Sequence, residues 1–168
     1  MKIAIDRGHG VRCDGGAVGI RREEDLIEQV SDGLVKRLRN VGHQIIEVRP
    51  KWASSTLNSL SQRCRKANNH NADLFVSLHF NAHNGSGNGT EVYAISNKGK
   101  QYARRVVDNI AALGYRNRGV KHKGFYVLRY TAMPAILVEG CFITSQRDIN
   151  LFNADKMAQA IVNGILNK

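Results

Sequence analysis

The stretch LFVSLHFNAH, residues 74–83, decides the fold. Leu74, Phe75, Val76 and Leu78 crowd apolar side chains onto a short run, which predicts a strand covered by other structure. The run closes on His79. A polar imidazole at the end of a covered strand is either incidental or one part of a site.

Outward from this strand, short apolar runs alternate with longer stretches of helical period, the pattern of an α/β domain. Strands are expected at KIAID (2–6), HQIIEVR (43–49), DLFVSLHF (73–80), TEVYAI (90–95), FYVLR (125–129) and AILVEG (135–140). The expectation is a single domain over residues 1–168, with a twisted, mostly parallel sheet of about six strands and helices on both faces. Residues 23–41 place Leu26, Ile27, Val30, Leu34, Leu38 and Val41 on one helical face, with Gly42 as a stop. A second helix follows Ser54 and Ser55, with Leu57, Leu60, Cys64 and Ala67 in register. A third covers roughly 98–113, and a C-terminal helix turns Met157, Ala158, Ile161 and Ile165 toward the sheet. The segment AHNGSGNGT, 82–90, is rich in Gly and Asn and suits an irregular loop beside a site. The lone Trp52, in RPKWASS, is expected to pack on the sheet edge.

At 168 residues, with 42% apolar and 23% charged side chains, the chain can bury a core as one domain. Its 25 basic against 14 acidic residues give a net charge of +11, which draws it toward a polyanion: nucleic acid, acidic lipid or an anionic cell-wall polymer. Cys13, Cys64 and Cys141 are an odd number without CxxC spacing, so neither a disulfide framework nor a cysteine zinc site is expected. The opening MKIAIDRGHG enters a strand-like run at once, and no 18 consecutive residues are apolar. Neither a signal peptide nor membrane insertion is therefore expected.

Three expected strands run into a residue able to bind metal or move protons: IAID leads to His9, LFVSLH ends at His79 and AILVE ends at Glu139. In open parallel sheets the carboxyl ends of the strands share one edge, so these distant residues can meet. Two neutral imidazoles and one carboxylate make a common catalytic zinc shell with a position left for water, and a second carboxylate can take that water's proton. RREEDLIEQV supplies the further carboxylate through Glu23 or Glu24, at the start of the first long helix. An acidic first turn also complements the helix dipole, so position alone leaves both readings standing.

The motifs IDRGHG, GGAVG followed by EEDL, ADLFVSLHFNA, GTEVY, NRGVK, VLRYTAMPAILVEGCF and AQAIVNGI occur in that order over nearly the whole chain. Together they resemble the zinc-dependent N-acetylmuramoyl-L-alanine amidases of family 3, found among bacterial cell-wall hydrolases and phage endolysins. The resemblance implies a Zn²⁺ ion held by His9, Glu23 and His79, with Glu139 as the catalytic base. Glu23 is preferred to Glu24 because the family has a leucine three residues after its glutamate, and Leu26 stands there. Two departures stand out: Arg7 where the family usually has proline, and Cys141 where glycine is more frequent.

The implied reaction is hydrolysis of the amide between the lactyl group of N-acetylmuramic acid and L-alanine of the stem peptide, with peptidoglycan as the partner. Loop 82–90 and NRGVK would line the groove, and Arg118 and Lys121 would meet stem-peptide carboxylates. An endolysin of this kind would stay in the cytoplasm until released to the wall. Rival readings are a thiol hydrolase using Cys141, which needs a histidine within hydrogen-bond reach, and a basic non-catalytic binder of cell wall or nucleic acid. Against a nucleic-acid module, the basic residues are scattered and no stacking motif of aromatic and basic residues appears. His43, His70, His83 and His122 are expected to face solvent, with His83 near enough to His79 to support it.

Overall fold

The computed structural model describes residues 1–168. In chain order the elements are β1 (Lys2–Arg7), α1 (Glu23–Asn40), β2 (Gln44–Glu47), α2 (Thr56–Asn69), β3 (Leu74–Asn81) and β4 (Thr90–Tyr93). They continue with α3 (Asn97–Ala111), β5 (Asn117–Lys121), α4 (Tyr126–Arg129), β6 (Ala135–Phe142), α5 (Gln146–Leu151) and α6 (Ala154–Leu166). The six strands form one sheet in the order β2-β1-β3-β6-β4-β5. Strands β2, β1, β3 and β6 are parallel, whereas β4 lies antiparallel to β6 and carries β5 parallel to itself. The architecture is thus the α/β fold with a mostly parallel six-stranded sheet.

Alternation along β1, β3 and β6 sends successive side chains to opposite faces. One face meets α1, α3 and α6 in a cluster of 29 buried residues that includes Ile3, Ile5, Leu74, Val76, Leu78, Ile136 and Val138. The other face meets α2 and α4 in a smaller cluster of 11, among them Ala4, Phe75, Ala135 and Leu137. Helix α1 opens on Glu23, Glu24 and Asp25 and closes on Arg37 and Arg39, charges that oppose its dipole at each end. Helix α2 starts where the Ser55 hydroxyl accepts from the Asn58 N–H at 3.1 Å.

The structure corrects several expectations. FYVLR is no strand: Tyr126–Arg129 make one turn of helix that buries Val127 and Leu128 against the sheet. A short apolar run satisfies a buried helical turn as well as a strand, and pattern alone does not separate them. The strand missing from that reading is NRGVK, whose polar residues are tolerated because β5 is an edge paired only to β4. Leu57 and Val41 leave the apolar faces assigned to them, at 61% and 49% exposed, because each sits at a helix end. Trp52 is 69% exposed and does not pack on the sheet edge.

Candidate metal centre

Three elements deliver the central residues. His9 follows β1 at its carboxyl end, with its backbone in the left-handed region at φ 54°. His79 lies near the end of β3 and stands in register beside Glu139 of β6. Glu23 opens α1 and is buried. His9 Nε2 and His79 Nδ1 approach the same oxygen, Glu23 Oε1, at 3.2 and 3.1 Å. All three donor atoms lie within 4.8 Å of one another. The two imidazole rings meet edge to face at 84°.

Backbone groups fix the carboxylate between the rings. The Ala17 N–H donates to Glu23 Oε2 at 2.9 Å and the Phe80 N–H to Oε1 at 3.2 Å. Glu24 turns elsewhere, accepting from the Gly16 N–H at 3.2 Å and pairing with Arg22. Gly8 has no room for a side chain, since a Cβ there would lie 2.6 Å from His79 Nε2 and from the Leu78 carbonyl.

The electrostatics follow from this crowding. Burial opposes ionisation of Glu23, but hydrogen bonds from His79 and His9 outweigh it and hold the carboxyl well below its usual range. Burial likewise opposes a charge on His9, yet its bonds to Glu23 and Asp14 lift it to about 9. Glu139 behaves oppositely: burial first, then the neighbouring carboxylates Glu23 and Glu91, push it up to about 7 against the pull of the histidines. Its Oε2 is buried without a hydrogen-bond partner. An orphaned carboxylate oxygen beside an imidazole pair is chemically poised to take a proton.

These groups border a cleft of about 370 Å³. Its apolar lining comes from Leu60 of α2, Leu137 of β6 and the Phe125–Val127 segment. Of loop 82–90 only Ala82 reaches the cleft, and none of Asn117–Lys121 does. Arg118 donates to Glu91 at 2.7 Å and lies over the Phe142 ring, so its charge is already partnered. Lys121 is exposed on β5. His70, His83 and His122 are exposed, and His43 is half-buried beside the N-terminus. Cys141 is fully buried in the larger cluster, and that burial raises its thiol above the ordinary range. A thiol so placed is no nucleophile for this cleft.

Sequence reasoning passed over Asp6, Asp14 and Arg63, which all line the cleft. Arg63 carried a legible signal: it falls between Leu60, Cys64 and Ala67 on the inward face of α2, where a charged residue calls for a partner. Asp14 carried none beyond its nearness to His9 in a Gly-rich loop.

Two imidazoles and a carboxylate converging at the carboxyl edge of a mostly parallel sheet define an α/β protein organised around a candidate metal centre. The chain belongs to the N-acetylmuramoyl-L-alanine amidase family, whose model matches residues 3–167. It is 38% identical to the N-acetylmuramoyl-L-alanine amidase LytC of Bacillus subtilis, over 98% of this chain and 35% of that protein. It is 33% identical to an endolysin of Bacillus phage SPP1, over 96% of this chain and 62% of that protein. Among solved structures, the catalytic domain of an endolysin targeting Clostridium difficile superposes with a TM-score of 0.91 at 31% identity, covering 100% of this chain and 98% of that one. The chain spans about half the length, or less, of several curated relatives that it matches.

Proposed function

We propose that residues 1–168 form a catalytic domain that hydrolyses the amide between the lactyl group of N-acetylmuramic acid and L-alanine of the stem peptide, using zinc. The observation carrying this reading is the convergence of His9 Nε2, Glu23 Oε1 and His79 Nδ1 within 4.8 Å, beside the unpartnered Oε2 of Glu139. Two nitrogens and one carboxylate oxygen fit zinc, and three protein donors leave a position for water. Zinc bound there supplies a Lewis acid and lowers the pKa of that water from about 15.7 toward ~7.

The chain's own residues do the rest. Glu139 accepts the proton of the attacking water and passes it to the departing amine of L-alanine. Its raised affinity for protons suits a base that must also act as an acid near neutral pH. The backbone N–H groups of Ala17 and Phe80 keep Glu23 in place, which orients the donor set before substrate arrives. Leu60, Leu137 and Val127 give the cleft apolar lining beside these groups, so charges there act through a lower dielectric. The net charge of +11 favours approach to an anionic wall.

The test is mass spectrometry of products released from purified peptidoglycan, with and without EDTA. Free stem peptides beginning at L-alanine, formed only without chelator, are expected. Intact glycopeptides in both tubes, on walls of several peptidoglycan types, would overturn the reading.

A further inference from the structure

We infer that Asp14 is a positioning residue that selects which nitrogen of His9 is free to bind the metal, with Arg63 holding the His9 backbone in the conformation this requires. The inference rests on the zinc site proposed above. Asp14 Oδ1 lies 3.0 Å from His9 Nδ1, on the far side of the ring from Glu23. An anionic acceptor on Nδ1 keeps a proton on that atom, which leaves Nε2, on the side of Glu23 and His79, as the nitrogen that gives up its proton when a metal binds.

Arg63 is 1% exposed and spends its donors on the same turn. It donates to the His9 carbonyl at 2.8 Å, to the Arg7 carbonyl at 2.7 Å and to Asp6 Oδ1 at 2.6 Å. Its Nε donates to the Ser59 hydroxyl at 3.2 Å, and it lies 3.6 Å from Asp14 Oδ2. Ser77 of β3 completes the chain by donating to Asp6 Oδ2 at 2.7 Å. A left-handed backbone is unfavourable for a residue with a Cβ and persists only where the surroundings over-determine it. At His9 the Arg63 fork grips the carbonyl while Asp14 grips the ring. His79 has no such carboxylate: its Nε2 lies against the bare backbone of Gly8. One imidazole is therefore oriented by charge and the other by shape.

The experiment measures zinc dissociation constants by competition with a chromophoric chelator for the wild-type chain, Asp14→Ala, Asp14→Asn and Leu34→Ala. The histidine side-chain ¹⁵N spectra of the zinc-loaded proteins are recorded alongside. Failure of the wild-type chain to bind zinc would reject the metal centre itself. Given wild-type binding, Asp14→Ala is expected to weaken zinc by about 10–100-fold and to lose the His9 Nδ1–H signal. Asp14→Asn keeps an acceptor oxygen and is expected to retain that signal with a smaller loss of affinity. Leu34→Ala, destabilised only by packing, is expected to bind zinc like the wild-type chain. An Asp14→Ala protein with wild-type affinity and an unchanged His9 signal would overturn the inference, and so would a loss of affinity equalled by Leu34→Ala.

Discussion

The two faces of the sheet are built to different rules. Along the face under α1, α3 and α6 the side chains of β1 and β3 are apolar through Ile3 and Ile5 and through Leu74, Val76 and Leu78, and β1 turns polar only at its last residue, Arg7, which pairs with Glu28 and Asp32 of α1. Along the face under α2 and α4 they begin apolar, with Ala4, Phe75 and Ala135, then turn polar through Asp6 and Ser77 to His79 and Glu139. The continuous face supplies stability through packing, whereas the graded face exchanges packing for a wired polar edge. Burying polar groups is tolerable only when each is satisfied, and here Asp6, Ser77 and Arg63 satisfy one another.

Substitutions should separate the faces. The largest effect is expected at the edge of the graded face: His79→Ala should lose metal and turnover together. Glu139→Gln should keep the metal and lower kcat by about 10²–10⁴-fold, read from metal content and initial rates. Next, Arg63→Met leaves Asp6 as an unpaired buried charge and should cost about 3–5 kcal/mol in denaturant unfolding. On the continuous face, Leu34→Ala should cost about 2–5 kcal/mol while the rate per folded molecule stays that of the wild-type chain.

A smaller effect is expected from pH in the chelator-treated protein. His9, raised from 6.5 to about 9, contributes stability that is complete below pH 6.5 and lost as pH rises through about 9. Glu139, raised from 4.5 to about 7, also binds its proton more tightly when folded, so ionising it between those values removes further stability. Stability should therefore fall from about pH 4.5 to about 9, and Glu139→Gln should abolish the lower part of that decline in thermal melts. Glu23 acts in the opposite sense, its depressed value costing stability as acid protonates it. The smallest effect is expected at Trp52→Ser, which leaves both faces intact and should change unfolding by no more than about 0.5 kcal/mol.

The continuous face was the more legible in the sequence. Residues such as Leu26, Ile27, Val30, Leu34 and Leu38 repeat with the helical period, and a periodic pattern reports burial directly. The graded face was legible only at its ends. His9, His79 and Glu139 could be placed together because parallel strands share a carboxyl edge. The polar wiring beneath them was not legible, since a pairing such as Asp6 with Arg63 spans 57 residues and leaves no local pattern. FYVLR was misread as a strand, and NRGVK passed over as one, for a related reason. Whether a short apolar run becomes a helical turn, or a polar pentapeptide an edge strand, is decided by the neighbours it meets and not by its own spacing.

The most direct test of the proposed metal centre is elemental analysis of zinc in the wild-type chain, His79→Ala and Glu139→Gln after equilibration with limiting zinc. The expected result is one zinc per chain in the wild-type and Glu139→Gln proteins and none in His79→Ala. A Glu139→Gln protein without zinc, or a His79→Ala protein that keeps its full complement, would contradict the division of roles between donors and base.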